Sequence, residues 1–420
     1  MSTNNTIGTQ SRFHYAWVVM IGCCLIMLGT MGIMSGGSIG VYMTPAAEAL
    51  GTSRTAISVY DTIRTLVMAL FQPVAAFVFK KYDVRITVAL AALLCGGGAI
   101  LIGLMNSVAG WYVGAVVNGI GLSFICYMLI PIVMNNWFHA SMGLAAGIAM
   151  SCSGLGGAIF APIVGELIAN FSWTTAIMIT GAIGGIISIL AALLLLRTRP
   201  EDKGLLPYGY KPGQDTAAIS EEDHKGLTAK DALRSPFFYL IILSIMLIYF
   251  YGSFQIHITN YATSVGFPID QASRVASLMM IGLVVGKILL GFVNDRLGGL
   301  ATLGAAVILV LVAVFTLVTS HGAVMPVFIG AFLVGMSAGS LQLVPPMLIR
   351  GSMGNKEYGK IYGWAATVGV LVSSVAAPIY AAILDTTGTY NTIIAVAAGG
   401  MVLALVLNLI AYNRARKLWV

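Results

Sequence analysis

The sequence predicts an all-α integral membrane protein of twelve spanning helices arranged as two six-helix bundles. Three observations carry that expectation. Of the 420 residues, 58% are hydrophobic and only 9% charged, whereas a soluble domain carries roughly 25% charged residues. The chain therefore lacks the polar surface to fold in water. Apolar stretches of about 20 residues, enough to cross roughly 30 Å of hydrocarbon at about 1.5 Å per residue, recur along its whole length. The second half also repeats landmarks of the first at a fixed offset of 216 residues.

Taken in order, six spans fall at about 15–42, 54–79, 84–104, 108–135, 141–168 and 173–197, each bounded by polar or Gly/Pro breaks. Six more fall at about 236–264, 271–294, 300–320, 323–349, 357–384 and 390–413. Residues 1–197 and 236–420 thus form the two expected bundles. The segment 198–235 joins them and holds 13 of the chain's 37 charged residues. It reads as a cytosolic linker, with "SEEDHKGLTAKDAL" (Ser220–Leu233) as an amphipathic helix. Residues 1–14 are polar, so no cleavable signal peptide is expected.

The repeat is specific. Gly143, Gly147 and Pro162 of the fifth span match Gly359, Gly363 and Pro378 of the eleventh, and Ala75 and Lys80 match Gly291 and Arg296. Parallel six-helix repeats joined by a long linker mark a two-bundle transporter with its site at the midplane between the halves. A repeated structural scaffold is the plainer alternative. Glycines clustered in the fifth and eleventh spans permit sliding contacts between bundles, and Pro162 and Pro378 permit bends.

Charge placement sets the orientation. With both termini cytosolic, 18 of the 22 Lys and Arg residues lie on cytosolic loops and ends, and only Arg54 and Arg274 on outside loops. That is the positive-inside pattern of a multi-pass protein of the cell membrane. It accounts for the net charge of +7 without a nucleic-acid partner. The five cysteines, Cys23, Cys24, Cys95, Cys126 and Cys152, all fall in apolar spans without metal-like spacing and read as helix-packing thiols. His14, His139, His224 and His321 lie at span ends or in loops, and no hydrolase or metal motif is present. The chain is expected to be a monomer that is not an enzyme and holds neither cofactor nor metal.

Two cations remain inside spans. In "GLVVGKILLG" (Gly282–Gly291), Lys287 interrupts an apolar run. A phosphate loop needs four residues between its glycines and a Ser or Thr after the lysine. Here three residues separate Gly282 from Gly286, and Ile288 follows Lys287. The glycines are instead expected to admit neighbouring helices. Lys287 stands about eight residues, roughly 12 Å, inside the end marked by Asp295. Either it meets an anion, or it snorkels or pairs structurally. Arg64 lies about ten residues into the second span with Asp61 one turn earlier, and Ser58, Thr65 and Gln72 extend that polar face. Either the pair only makes Arg64 tolerable, or Arg64 binds substrate while Asp61 responds to protonation. Lys287 and Arg64 against ionised Asp61 leave one net positive charge, which suits a monoanion.

The seventh span presents Tyr249, Ser253, His257, Asn260 and Tyr261 at helical spacing, a stripe expected to face a cavity or partner helix rather than lipid. His257 is a second candidate for proton coupling, against the plainer role of a helix-packing group. Tyr127, Gln342, Tyr362 and Trp364 are further candidates to line a substrate cavity, against simple packing between helices.

The segment "GFVNDRLGG" (Gly291–Gly299) resembles the Gly-x-x-x-Asp-Arg-x-Gly loop signature of the major facilitator superfamily, giving Gly291, Asp295 and Arg296 a gating role. Its first-half copy, "AAFVFKKYDVR", places Phe79 where the repeat puts the aspartate. Several segments resemble one branch, the monocarboxylate transporters and the oxalate/formate antiporters. They are "SIGVYMTPAAEALGTSRTAIS" (Ser38–Ser58), "NWFHASMGLAAGIAMSCSGLGGAIFAP" (Asn136–Pro162), "RPEDKGLLPYG" (Arg199–Gly209) and "HITNYATSVG" (His257–Gly266). The resemblance implies the major facilitator fold and transport of a small organic monocarboxylate by alternating access, by proton symport or by anion exchange. It departs from the branch at three positions. Lys287 stands where the branch keeps a carboxylate-binding arginine, and Ala365 where the antiporters keep a lysine. Leu283 stands where the proton-coupled type often has an aspartate. Lysine there offers a point charge without the planar fork that grips a carboxylate. An exporter of larger amphipathic compounds and a non-transporting membrane sensor are the competing expectations.

Overall fold

The computed structural model describes residues 14–34, 39–209, 225–320 and 322–419. Among these the chain is helical almost throughout, with no strand beyond two isolated bridges, Phe138–Tyr208 and Gly226–Gly354. The first half comprises α1 (Tyr15–Met27), α2 (Arg54–Lys81), α3 (Val84–Met105), α4 (Val108–Phe124), α5 (Met142–Asn170) and α6 (Trp173–Leu195). A π-helical turn at Leu28–Ile33 extends α1, and a short helix, Ile39–Ala49, follows it. Another π-helical turn, Ile125–Leu129, continues α4 into Ile130–Trp137.

In the second half, α7 (Pro236–Ser253) passes through a 3-10 turn, Phe254–His257, into Ile258–Ser264. The helical run Ile269–Val318 is broken at Gly298 (φ 81°, ψ 173°), a conformation glycine adopts without penalty, and so divides into α8 and α9. Then come α10 (Val324–Ala338, continued by Ser340–Met353), α11 (Tyr358–Thr387) and α12 (Tyr390–Arg416). Among the described residues, ten stretches are long and apolar enough to cross a membrane. Counting α8 and α9 separately and adding α11, the helices number twelve.

Sequence signals fix the ends. The side chains of Ser53, Asp83, Ser107 and Ser172 cap α2, α3, α4 and α6 by accepting backbone N–H bonds of 2.8–3.1 Å from Ala56, Arg85, Gly110 and Thr175. Asn106, in the left-handed region (φ 42°), terminates α3. The linker differs from expectation. Its helix covers only Ala229–Arg234, capped by Thr228, because the residues before it pair with the loop after α10. Leu227 N–H donates to the Met353 carbonyl and Asn355 N–H to the Lys225 carbonyl, both at 2.8 Å, with Gly226 at φ 140°. The rest of the expected helix, up to residue 224, lies outside the described residues.

Within the first half, α1 packs on α5 and α6, α3 on α4 and α6, and α2 on α4. Within the second, α7 packs on α11 and α12, and α8–α9 on α10 and α12. The halves meet chiefly where α5 crosses α8 and α2 crosses α11, two pairs that the repeat exchanges. Glycine permits these crossings. A Cβ at Gly143 or Gly147 would overlap the carbonyl of Gly291 or Lys287, and one at Gly282 or Gly286 that of Phe332 or Met336.

Candidate functional site

Lys287 is 3% exposed. Its ammonium donates to the Met150 carbonyl (3.0 Å) and to Ser153 Oγ (3.2 Å), both on α5. The side chain therefore crosses from one half to the other and does not snorkel. The α5 backbone comes within its reach because Gly147 lies against the Lys287 carbonyl.

Arg64, on α2, is hydrogen-bonded to Asp61 one turn earlier, and its guanidinium lies 5.5 Å from the centroid of the Tyr60 ring. The Asp61 side chain is 53% accessible while that of Arg64 is 14%. Arg64 Nη1 has no hydrogen-bond partner. Two turns on, along the same face, Gln72 is fully buried with both amide atoms unpartnered.

A contact between the halves also involves a residue that the sequence had placed among the packing thiols. Cys126 and Tyr127 sit on the π-helical turn of α4, where the widened helix redirects side chains. Cys126 is 1% exposed, and Gln342 Nε2 of α10 donates to its sulfur at 3.7 Å. Tyr127 packs on Tyr249 of α7 with ring centroids 5.5 Å apart, and Tyr249 and Tyr362 of α11 are fully buried. The Gln342 Oε1 atom and the Tyr249 and Tyr362 hydroxyls are buried without a partner. Each such group costs about 1–3 kcal/mol if left unsatisfied, so the cluster carries unused hydrogen-bonding capacity. The apolar setting of Cys126 hid it. The available signal was the repeat, since Gln342 lies 216 residues on.

Other candidates lie elsewhere. Ser253 Oγ bonds to Ser373 Oγ (2.9 Å) and ties α7 to α11. His257, in the 3-10 turn, packs edge-on against Tyr380 at 5.6 Å with Nε2 unpartnered. Tyr261 donates to the Leu317 carbonyl at 2.8 Å, so that end of the stripe faces a partner helix. Trp364 does not join the cluster. It is 51% exposed, because two residues turn a helix by about 200° and carry it to the face opposite Tyr362. The Asn260 side chain lies outside the described residues. No group of three or more His, Cys, Asp or Glu placed to hold a metal occurs among the described residues.

At the linker end, Asp295 accepts from the N–H groups of Gly143 (2.6 Å) and Leu144 (2.7 Å), so a carboxylate from the second half caps the start of α5. Gly291 packs against Gly143, and Arg296 stacks on Phe292 at 4.3 Å. Where α2 meets α11, Phe79 leaves no equivalent anion. Glu357, just before α11, takes that place: it accepts from Lys360 (2.5 Å) and from Ala229 N–H of the linker helix (2.7 Å), and Lys80 lies 3.8 Å away. Lys360 above all, then the Ala229 N–H, hold the Glu357 carboxyl below the usual carboxylate range.

Comparison with known proteins fits this arrangement. The sequence matches the Major Facilitator Superfamily over residues 19–376. It is 27% identical to monocarboxylate transporter 12 of Xenopus laevis over 67% of this chain and 63% of that protein. It is 23% identical to the oxalate:formate antiporter of Oxalobacter formigenes over 86% of this chain and 84% of that protein. The chain thus spans under two thirds of the first relative's length. Among solved structures, the proton:xylose symporter XylE bound to 6-bromo-6-deoxy-D-glucose aligns with TM-score 0.72 at 13% identity over 97% of this chain and 99% of that one. FucP in the outward conformation aligns with TM-score 0.67 at 15% identity over 95% and 99%. Both matches concern the fold. The resemblance to the superfamily and to its monocarboxylate and antiporter branch, drawn from the loop signature and neighbouring segments, is borne out.

Proposed function

The chain belongs to the major facilitator superfamily of membrane transporters, and on that premise we propose that it moves a small organic monocarboxylate by alternating access. One observation carries the reading: each half contributes a cation inside its spans, Lys287 buried against α5 of the other half and Arg64 with Nη1 left without a hydrogen-bond partner. With Asp61 paired to Arg64, the site holds one net positive charge, which a monoanion neutralises and a dianion overfills. The unpartnered donors Arg64 Nη1, Tyr249 Oη and Tyr362 Oη supply hydrogen bonds of the kind that a carboxylate group needs after leaving water.

Alternating access is supported by the placement of the contacts between halves. Gly143 with Gly291, Gly147 with Lys287, Asp295 with the start of α5 and Lys80 with Glu357 all fall toward the linker end. Parting them opens the linker side. The skew of Lys and Arg toward that end supports a cell-membrane protein with both termini in the cytosol. Proton symport is the coupling favoured by a carboxylate, Asp61, beside the binding cation. Anion exchange is the alternative.

A thermal-shift panel of mono- and dicarboxylates on the purified protein tests the reading. Monocarboxylates are expected to stabilise the wild type and to lose that effect in Lys287→Ala. If no carboxylate stabilises it, or the shift persists in Lys287→Ala, the reading is overturned. Stabilisation by bulky amphipathic compounds alone points to an exporter of such compounds.

A further inference from the structure

We propose that Cys126 and Gln342 form a substrate-displaced constriction between the halves, and that Cys126 sets the size of acid the site accepts. The inference rests on the carboxylate reading above and specifies its selectivity.

The contact is weak for what it occupies. Gln342 is 8% exposed, and its amide nitrogen is spent on a thiol sulfur at 3.7 Å while Oε1 has no partner. Sulfur is a poor acceptor compared with a carboxylate oxygen. An acid entering between the halves replaces the N–H···S contact with a charge-assisted N–H···O bond, and gains Arg64 Nη1 and the unpartnered Tyr249 and Tyr362 hydroxyls. The exchange is favourable only for a ligand that carries the anion, so the pair stays closed without one.

Cys126 is also the small side chain at a crowded place. Its neighbours on the π turn are Ile125, Tyr127, Met128 and Leu129, all buried. Once the carboxylate is held by the cations, the carbon chain attached to it must share space with residue 126. A cysteine leaves room for a short chain. An alanine leaves more, and a leucine less. The same thiol reading as simple packing predicts no effect on chain length, only on stability.

The test uses reconstituted full-length protein and counterflow, with unlabelled acetate, butyrate and hexanoate competing against a labelled monocarboxylate that the wild type exchanges. Cys126→Ala is expected to improve the potency of hexanoate relative to acetate by about 3- to 10-fold, and Cys126→Leu to reverse that shift. Cys126→Ser, nearly unchanged in volume, should keep the wild-type ratio. If Cys126→Ala and Cys126→Ser exchange the label with the wild-type ratio of potencies, the proposal is overturned even if Cys126→Leu fails to fold. Failure of the carboxylate reading itself looks different: no acid then competes in the wild type.

Discussion

Cys126 and Gln342 touch across the interface between the halves and are separated by 216 residues, the offset that superposes one half on the other. Two positions related by the internal repeat meet each other, so they stand at its pseudo-two-fold axis. The two cations inside the spans are not so related: Arg64 is on α2 and Lys287 on α8, and the repeat offset puts Phe71 opposite Lys287. The scaffold is symmetric while the charges on it are not, and under the proposed function that asymmetry would give the site a single anion-binding pole.

Removing Asp295 should loosen the linker end. Its two hydrogen bonds to the start of α5 are charge-assisted and cross between the halves. Asp295→Ala is expected to raise the linker-open population about tenfold or more. Distance distributions between spin labels at Lys81 and Lys356, on exposed positions flanking the α2–α11 contact, would show a longer component. An unchanged distribution would contradict a latch at Asp295.

Glu357 should confer a pH-dependent tie. Its pKa lies below the 4.5 of a free glutamate, held there first by Lys360 and then by the Ala229 N–H and Lys80. A depressed carboxylate stabilises the fold above its unfolded pKa, and the contribution fades as pH falls through the folded value. The melting temperature of Glu357→Gln should therefore sit below wild type at pH 7 by a gap that stays constant down to about pH 5. The two curves should merge at lower pH. A gap that grows on acidification would refute this assignment.

Two matched glycines should differ. A Cβ at Gly147 would overlap the Lys287 backbone carbonyl, whereas one at Gly363 meets chiefly the Ala76 methyl. Gly147→Ala must push α5 and α8 apart, so it should slow exchange about tenfold or more. Gly363→Ala also crowds a fixed group, the Ala76 methyl, but at 2.7 Å and at essentially one atom rather than at 2.4 Å and along a stretch of backbone, so it should cost less. Equal rates for the two variants in counterflow would show that the close approach of α5 to α8 is unimportant.

Much of this was legible in the sequence, for identifiable reasons. Span positions follow from hydropathy, and helix starts from Ser53, Asp83, Ser107 and Ser172, because local chemistry fixes them. The packing role of Gly282, Gly286 and Gly291 followed from spacing alone. Which polar residues meet was less legible, because that depends on how helices distant in the chain are rotated. Trp364 shares a helix with Tyr362 but faces the other way, and Cys126 looked like packing until Gln342 was seen beside it. The linker helix was shortened by a pairing with the loop after α10, a tertiary contact that periodicity does not reveal. The partner of Lys287 was equally hidden, since it is mainly a backbone carbonyl on α5.

The most direct test of the central claim is counterflow of a labelled monocarboxylate in proteoliposomes containing wild type, Arg64→Ala or Lys287→Ala. The account predicts exchange by the wild type and a loss to background in both variants. Exchange that continues at the wild-type rate in Arg64→Ala and Lys287→Ala would contradict it.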